Sequence, residues 1–294
     1  MSPAAREARF GLLLVPDAAS YPDLLRQAAA AERGGLDLIG IQDHPYQRRF
    51  LDTFALIGDL LARTERLRIF PDVANLPLRS PAMLAKLAAS LDLMSGGRFE
   101  LGLGAGTFWD AVAAMGGPRR SPGESVDALG EAVEIIRRAW SGERSISFEG
   151  RHYQVAGFHP GPPPPHEIGI WVGAYKPRML ELTGRLGDGW VPSLGYAPPA
   201  AIPEMAKRID GGAARAGRDP SAIRRLYNVS GVILDGPARE LLRGPPEHWI
   251  ETLTGFVVEL GFDSLVFSPA DDVLGQIERF AHEVVPGVRE AVAA

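Results

Sequence analysis

The chain contains no cysteine, so disulfides, thiolate nucleophiles and Cys-ligated zinc or iron–sulfur sites are all excluded. Positive charge is not in excess either: 31 Lys and Arg stand against 36 Asp and Glu, for a formal net charge of -5. That balance offers no basic footprint for nucleic acid or an anionic bilayer, and the expected partner is a small molecule. No apolar run is long enough to span a membrane, and the opening MSPAAREARF lacks the apolar stretch of a secretory signal, so a cytoplasmic protein is expected. Lysine is limited to Lys86, Lys176 and Lys207, an Arg bias that carries no mechanistic weight.

What is present is the composition of a globular protein with many short connections, 46% hydrophobic with 34 Gly and 25 Pro. A length of 294 residues suits one large α/β barrel or two ordinary domains. Short continuous apolar runs alternate with segments of helical periodicity. Phe10 to Val15 reads as a strand buried on both faces, and a helix follows, with Ser20 as its cap, Pro22 in its first turn and Gly34-Gly35 as its stop. Further strands are expected at Leu36 to Gln42, Leu67 to Ala74 and Phe99 to Gly104, with helices at Leu51 to Arg63, Pro81 to Met94 and Glu124 to Trp140. Ser145 to Pro165 is less regular and reads as a hairpin and a proline-stiffened linker, an insertion spanning about 143–166. Beyond it come strands at Ile168 to Val172, Gly189 to Ser193, Leu226 to Leu234 and Ser264 to Phe267, interleaved with helices. Eight strands and eight helices in strict alternation favour a (β/α)₈ TIM barrel with a small insertion between strands four and five, the competing reading being a doubly wound open sheet.

Barrel enzymes carry their chemistry on the loops that follow the strands. After strand two stand Asp43, His44 and Tyr46: an acid, an imidazole and a ring at one mouth. A lone His is often structural, but this one sits where barrels place general acids and bases. Pro71 to Arg79, after strand three, reads equally as a proline-stopped loop. After strand four, Gly102-Leu103-Gly104-Ala105-Gly106-Thr107 is a poor dinucleotide fingerprint, because Thr107 replaces the third glycine and the segment opens no first βαβ unit. Its glycines admit either a flat ring or a tight turn. After strand five, Gly173-Ala174-Tyr175-Lys176 leads into a helix starting at Pro177, where free N–H groups, Lys176 and Arg178 can receive a phosphate or simply begin a solvated helix. The scattered histidines form no H-x-x-x-H pair, no metal is expected, and no G-x-S-x-G elbow is present.

Taken together, Gln42-Asp43-His44, Val73 to Pro81 and Leu93 to Gly106 resemble the luciferase-like monooxygenase family of flavin- and deazaflavin-dependent oxidoreductases, and the likeness extends through Arg178-Met179-Leu180 and Gly187-Asp188-Gly189-Trp190 to essentially the whole chain. The resemblance implies a single barrel domain over 1–294 with a tricyclic cofactor across its mouth. Its ring would lie over Asp72, Val73, Ala74 and Asn75, beside Gly104, Gly106 and Thr107, with its phosphate near Gly173, Ala174, Tyr175 and Lys176. It further implies a non-proline cis peptide at Asp72–Val73, cofactor contact by Asp43 with a catalytic pairing of Asp43 and His44, and homodimerisation through helices near strands two and three. Sugar-phosphate dehydrogenases of this family carry a Glu where Thr107 stands. That departure, with Phe108 and Trp109 next to it and Tyr46 opposite, favours an apolar substrate pocket; packing of the barrel rim is the alternative role of those rings. The leading expectation is therefore an enzyme that transfers hydride between coenzyme F420 and a small, largely apolar organic substrate. The alternatives are an FMN monooxygenase fed by a separate flavin reductase and a flavin-binding barrel without turnover.

Overall fold

The computed structural model describes residues 7–294. Nine parallel strands among these residues run through a nearly closed barrel: β1 (Arg9–Leu14), β2 (Leu38–Ile41), β3 (Arg68–Pro71), β4 (Ala74–Asn75), β5 (Leu101–Gly104), β8 (Ile170–Val172), β9 (Gly189–Trp190), β10 (Arg224–Ile233) and β12 (Ser264–Pro269). Two further strands, β6 (Ile146–Glu149) and β7 (Gln154–Phe158), form a separate antiparallel hairpin, and β11 (Arg243–Gly244) pairs with β10. β3 and β4 share one of the eight staves. The stave begins beside Phe99, where Ile69 N donates to Arg98 O and Glu100 N donates to Ile69 O, and it ends beside β5 through Ala74 and Asn75. Together these pairings bring the two ends of the sheet into contact.

The helices are α1 (Tyr21–Arg33), α2 (Thr53–Arg63), α3 (Pro81–Ser95), α4 (Trp109–Ala114), α5 (Pro122–Trp140), α6 (Pro177–Leu186), α7 (Ile202–Arg215), α8 (Pro246–Val258), α9 (Val273–Arg279) and α10 (Val285–Ala293). Proline stands in the first turn of seven of these, where its missing N–H costs nothing. Local chemistry sets several boundaries. Asp52 caps α2 by accepting from Phe54 N and Ala55 N, both at 3.0 Å, and Ser121 with Glu124 forms a capping box on α5. α6 and α7 cross closely because each offers a glycine: a Cβ on Gly184 would collide with Ile209 O and one on Gly212 with Glu181 O. Among the described residues no helix is long and apolar enough to cross a membrane.

Two expectations from the sequence need correction, and one element goes beyond them. Ser20 makes no capping hydrogen bond; a 3₁₀ turn, Ala18–Ser20, leads into α1, and Asp17 caps that turn by accepting from Ala19 N at 3.1 Å. The third strand is not continuous from Leu67 to Ala74 but breaks at Asp72–Val73, a cis peptide. The short helix α4 was not anticipated; it starts after Phe108, which adopts a positive φ of 54°.

The β6–β7 hairpin folds back along α5. Arg138 Nη1 donates to Ser147 O, the Glu131 carboxylate accepts from the backbone N–H groups of Arg151, His152 and Tyr153 at 2.8 to 3.0 Å, and Arg120 lies over the Tyr153 ring. Three N–H groups on one carboxylate leave the turn little freedom to swing.

Inside the barrel, Leu38, Phe70, Trp171, Val191, Leu226 and Val266 form a buried cluster of their own. They come from six different staves, and strand alternation makes them the inward-pointing set. They close the barrel as a packed core and form the floor beneath the strand ends.

Candidate active site

β2 delivers its loop to the rim with its base anchored, Thr53 Oγ1 donating to Gln42 O at 2.6 Å. Asp43 follows with a side chain that is 0% exposed. Its Oδ2 accepts from Asn75 N and Arg79 Nε, both at 2.8 Å, and its Oδ1 accepts from Arg79 Nη2 at 2.7 Å. Arg79 continues to Asp52 Oδ2 at 2.8 Å, with its guanidinium 4.4 Å from the centre of the Phe54 ring. A bidentate pair of this kind fixes geometry as well as charge. Asp43 thus ties β4 and the following loop to β2, and these contacts give it a positioning place.

His44 is only partly buried. Its Nδ1 is hydrogen-bonded to the Tyr46 hydroxyl at 2.7 Å, and no hydrogen bond engages Nε2 among the described residues. Burial holds the imidazole below its ordinary value, with Asp43 opposing, so at neutral pH the ring is mostly uncharged. Burial pushes the Tyr46 phenol up to about 12, and it stays protonated. A protonated hydroxyl both donates and accepts, so Tyr46 holds the ring in either tautomer. Phe108 completes the group, its ring centre 6.0 Å from that of His44 and 5.9 Å from that of Tyr46, and remains 59% exposed. Trp109 lies behind, over Gly106.

The bulge between β3 and β4 is the second part of the site. The Asp72–Val73 peptide is cis, at the position the family resemblance implied. Asp72 N donates to Ile41 O at 2.7 Å, and the Asn75 N–H goes to Asp43. The bulge is therefore pinned to the β2 side at both ends. Val73 projects between two loops: a Cβ on Gly104 would come 2.7 Å from Val73 Cγ2, and one on Gly173 3.0 Å. Gly106, at φ 101°, turns beneath Pro77 with the Trp109 ring close by. The glycines of these loops thus have a reason within the protein, since they let Val73, Pro77 and Trp109 close on the backbone.

After β8, Ala174 O accepts from Trp190 Nε1 at 2.9 Å, and the Tyr175 hydroxyl accepts from Ser193 N at 3.1 Å. Lys176 is exposed at the start of α6, while Arg178 pairs with Asp127 at 3.2 Å. Of the two cations expected near a phosphate, one is already engaged. Thr107 is exposed.

Three buried acceptors at this end of the barrel have no hydrogen-bond partner among the described residues: Asp72 Oδ2, Asn75 Oδ1 and Asn228 Oδ1. Buried polar atoms in folded proteins are nearly always satisfied, so such a group points to a water or a ligand that brings N–H or O–H donors. The imide edge of a flavin or deazaflavin ring is a group of that kind, and these residues fit it. The sequence reading missed Asn228. Its signal was a polar side chain at an inward position two residues beyond Leu226, within an apolar strand.

Residues 8–264 match the family model of luciferase-like monooxygenases. The chain belongs to that family. Among its curated relatives, an F420-dependent glucose-6-phosphate dehydrogenase from Microbacterium testaceum is 26% identical over 97% of this chain and 98% of the relative. A 5,10-methylenetetrahydromethanopterin reductase from Archaeoglobus fulgidus is 32% identical over 76% of this chain and 63% of the relative. Among solved structures, an F420-dependent secondary alcohol dehydrogenase in complex with an F420–acetone adduct superposes with a TM-score of 0.86, covering 96% of this chain and 99% of that one at 21% identity. At that identity the likeness is one of fold, and it agrees with the barrel described above.

Proposed function

We propose that this protein transfers hydride between the deazaflavin coenzyme F420 and a small, largely apolar organic substrate. The observation that carries the reading is His44, an uncharged imidazole at the rim with Nδ1 held by Tyr46, Nε2 unengaged and the exposed Phe108 ring alongside. Its F420-dependent relatives support the choice of cofactor. Bound here, a deazaflavin supplies a two-electron carrier that reacts poorly with oxygen. The bulge Asp72 to Asn75, the Gly104 to Thr107 loop and the Gly173 to Lys176 loop would hold it, with its phosphate toward Lys176 and the start of α6. His44 Nε2 would take the proton of a substrate hydroxyl when its carbon is oxidised by the bound deazaflavin, and would return it in the reverse direction. Asp43 keeps the loop in register through Arg79. Tyr46, Phe108 and Trp109 give the substrate an apolar wall. Thr107 brings no carboxylate, which argues against the sugar-phosphate chemistry named for the Microbacterium relative. The exposed Met83, Leu93 and Met94 on α3 support a homodimer through that helix.

The second reading is an FMN monooxygenase that receives reduced flavin from a separate reductase, favoured by the family to which the chain belongs. A flavin-binding barrel without turnover is a third, and an uncharged, positioned His44 weighs against it. Fluorescence titration with F420 and with FMN separates them. Micromolar affinity for F420 and substrate-dependent reduction or oxidation of it are expected; tight FMN binding with none for F420 would overturn the first reading.

A further inference from the structure

The inward-pointing residues one step above the apolar floor differ sharply in kind. Two positions beyond Leu38, Phe70, Trp171, Val191, Leu226 and Val266 stand Gly40, Asp72, Gly173, Ser193, Asn228 and Ser268. Two are glycines and four are polar, so the layer that opens on the mouth is not a continuation of the core. Asp72 is its only ionisable member. Its side chain lies over Gly40, where a Cβ would come 2.9 Å from Asp72 Oδ2 and 3.1 Å from its Cβ. The residue as a whole is partly exposed, yet Oδ2 is shielded from solvent and has no partner; across the layer Asn228 Nδ2 donates to Ser193 Oγ at 3.3 Å while its Oδ1 has no partner. Chemistry by His44 makes no use of this carboxyl.

We infer that Asp72 is a ligand-recognition residue whose carboxylate, together with Asn228, accepts hydrogen bonds from N–H or O–H donors of the molecule held at the barrel mouth, so that binding is linked to loss of the Asp72 proton. The inference rests on the hydride-transfer reading for the identity of the ligands. Two sources carry donors of this chemistry: the imide N–H of the cofactor ring and an N–H or O–H of the substrate other than the hydroxyl whose proton His44 takes. Burial pushes the Asp72 carboxyl up to about 7, with the Asn228 amide opposing, so the acid and its anion are comparably populated at neutral pH. The groups facing it do not titrate in that range. Gly40 of β2 is neutral, Asn228 of β10 is an amide, and the Tyr175 phenol after β8 is raised by its own burial and by Asp72. His44, further along the β2 loop, is held below its ordinary value.

The test measures the affinity of F420, and of FMN, by fluorescence between pH 5.5 and 8 for the wild type and Asp72→Asn, which keeps shape and removes ionisation. If only the anion binds, wild-type affinity falls about 30-fold as pH drops from 8 to 5.5, and the fall is absent from the variant; titration of the ligand itself persists in both proteins and cancels. A flat cofactor profile accompanied by this linkage for cyclohexane-1,2-diol and not for cyclohexanol, each added to the cofactor-loaded protein, assigns the donor to the substrate. Since the variant can fail to fold, wild-type protein in weak buffer at pH 6 supplies an independent reading: close to one proton is released per ligand bound. Equal pH profiles in wild type and variant for both cofactor and diol, or binding without proton release, overturn the inference. Absence of binding by either cofactor overturns instead the hydride-transfer reading on which it stands.

Discussion

Replacing Asp43 with Ala removes three hydrogen bonds at once and leaves Arg79, whose side chain is only 16% exposed, with one carboxylate in place of two. Breaking a buried pair costs roughly 3–5 kcal/mol when the surviving charge is stranded. Arg79 is not wholly stranded, because Asp52 and the face of Phe54 remain, so the lower end, about 3 kcal/mol, is expected. For a chain of this size that corresponds to about 5 °C in Tm. Arg79→Met removes the other partner while keeping an apolar stem, and the double variant should cost about 2 kcal/mol less than the sum of the singles, since with both charges gone neither is left unpaired. Urea denaturation of the four proteins closes the cycle, and F420 titration of each reports on the bulge: loosening Asn75 should weaken binding in parallel with stability. A loss below about 1 kcal/mol for Asp43→Ala, or strict additivity, would refute the claim that this pair holds β4 in register.

Three further outcomes are expected. His44→Ala should lower turnover by about 10² to 10⁴ with cofactor affinity changed little; equal loss of both in titration and steady-state assays would give His44 a structural role. His166 stands 2.7 Å from Asp92 and 3.6 Å from Glu100, and its pKa is raised, by Glu100 above all. A pKa raised on folding gives stability that is fully present below the ordinary histidine value and is lost as pH rises through the folded one. Denaturation midpoints measured from pH 5 to 9 should therefore show a fall above the ordinary histidine range that His166→Ala abolishes. Gly184→Ala should destabilise by about 1–3 kcal/mol, because its Cβ meets the backbone of α7 and the two helices must separate; an unchanged urea midpoint would contradict that packing.

The barrel was legible because its staves are continuous apolar runs punctuated by glycine and proline, a pattern set by burial on both faces. The interruption of the third stave was less so: Leu67 to Ala74 has the residues of an unbroken strand, and only the family resemblance marked Asp72–Val73 as special. α4 escaped because Phe108 begins it from a left-handed backbone conformation that nothing in its side chain announces. At the site, His44, Tyr46 and Phe108 could be placed from their positions after strands two and four. The burial of Asp43 could not, since its partner Arg79 lies 36 positions away and the pairing exists only once β2 and β4 are side by side. Asn228 and Ser193 were in principle readable as polar residues at inward positions, had alternation been followed inside each strand as well as between elements.

That inward polar layer explains why one end of the barrel is a site and not more core. Had Asp72 and Asn228 been Leu or Val, the strand ends would close over the floor formed by Phe70 and Trp171, and the fold would be the more stable for it, because two acceptors would no longer be buried without partners. The chain keeps them at a cost in stability. It then holds the costly stave in place from outside, by Ile41 O at one end and by Asp43 and Arg79 at the other. Local rules of packing and polar satisfaction are broken here and respected in the surrounding barrel, which is the distribution expected when the missing partners arrive with a bound molecule.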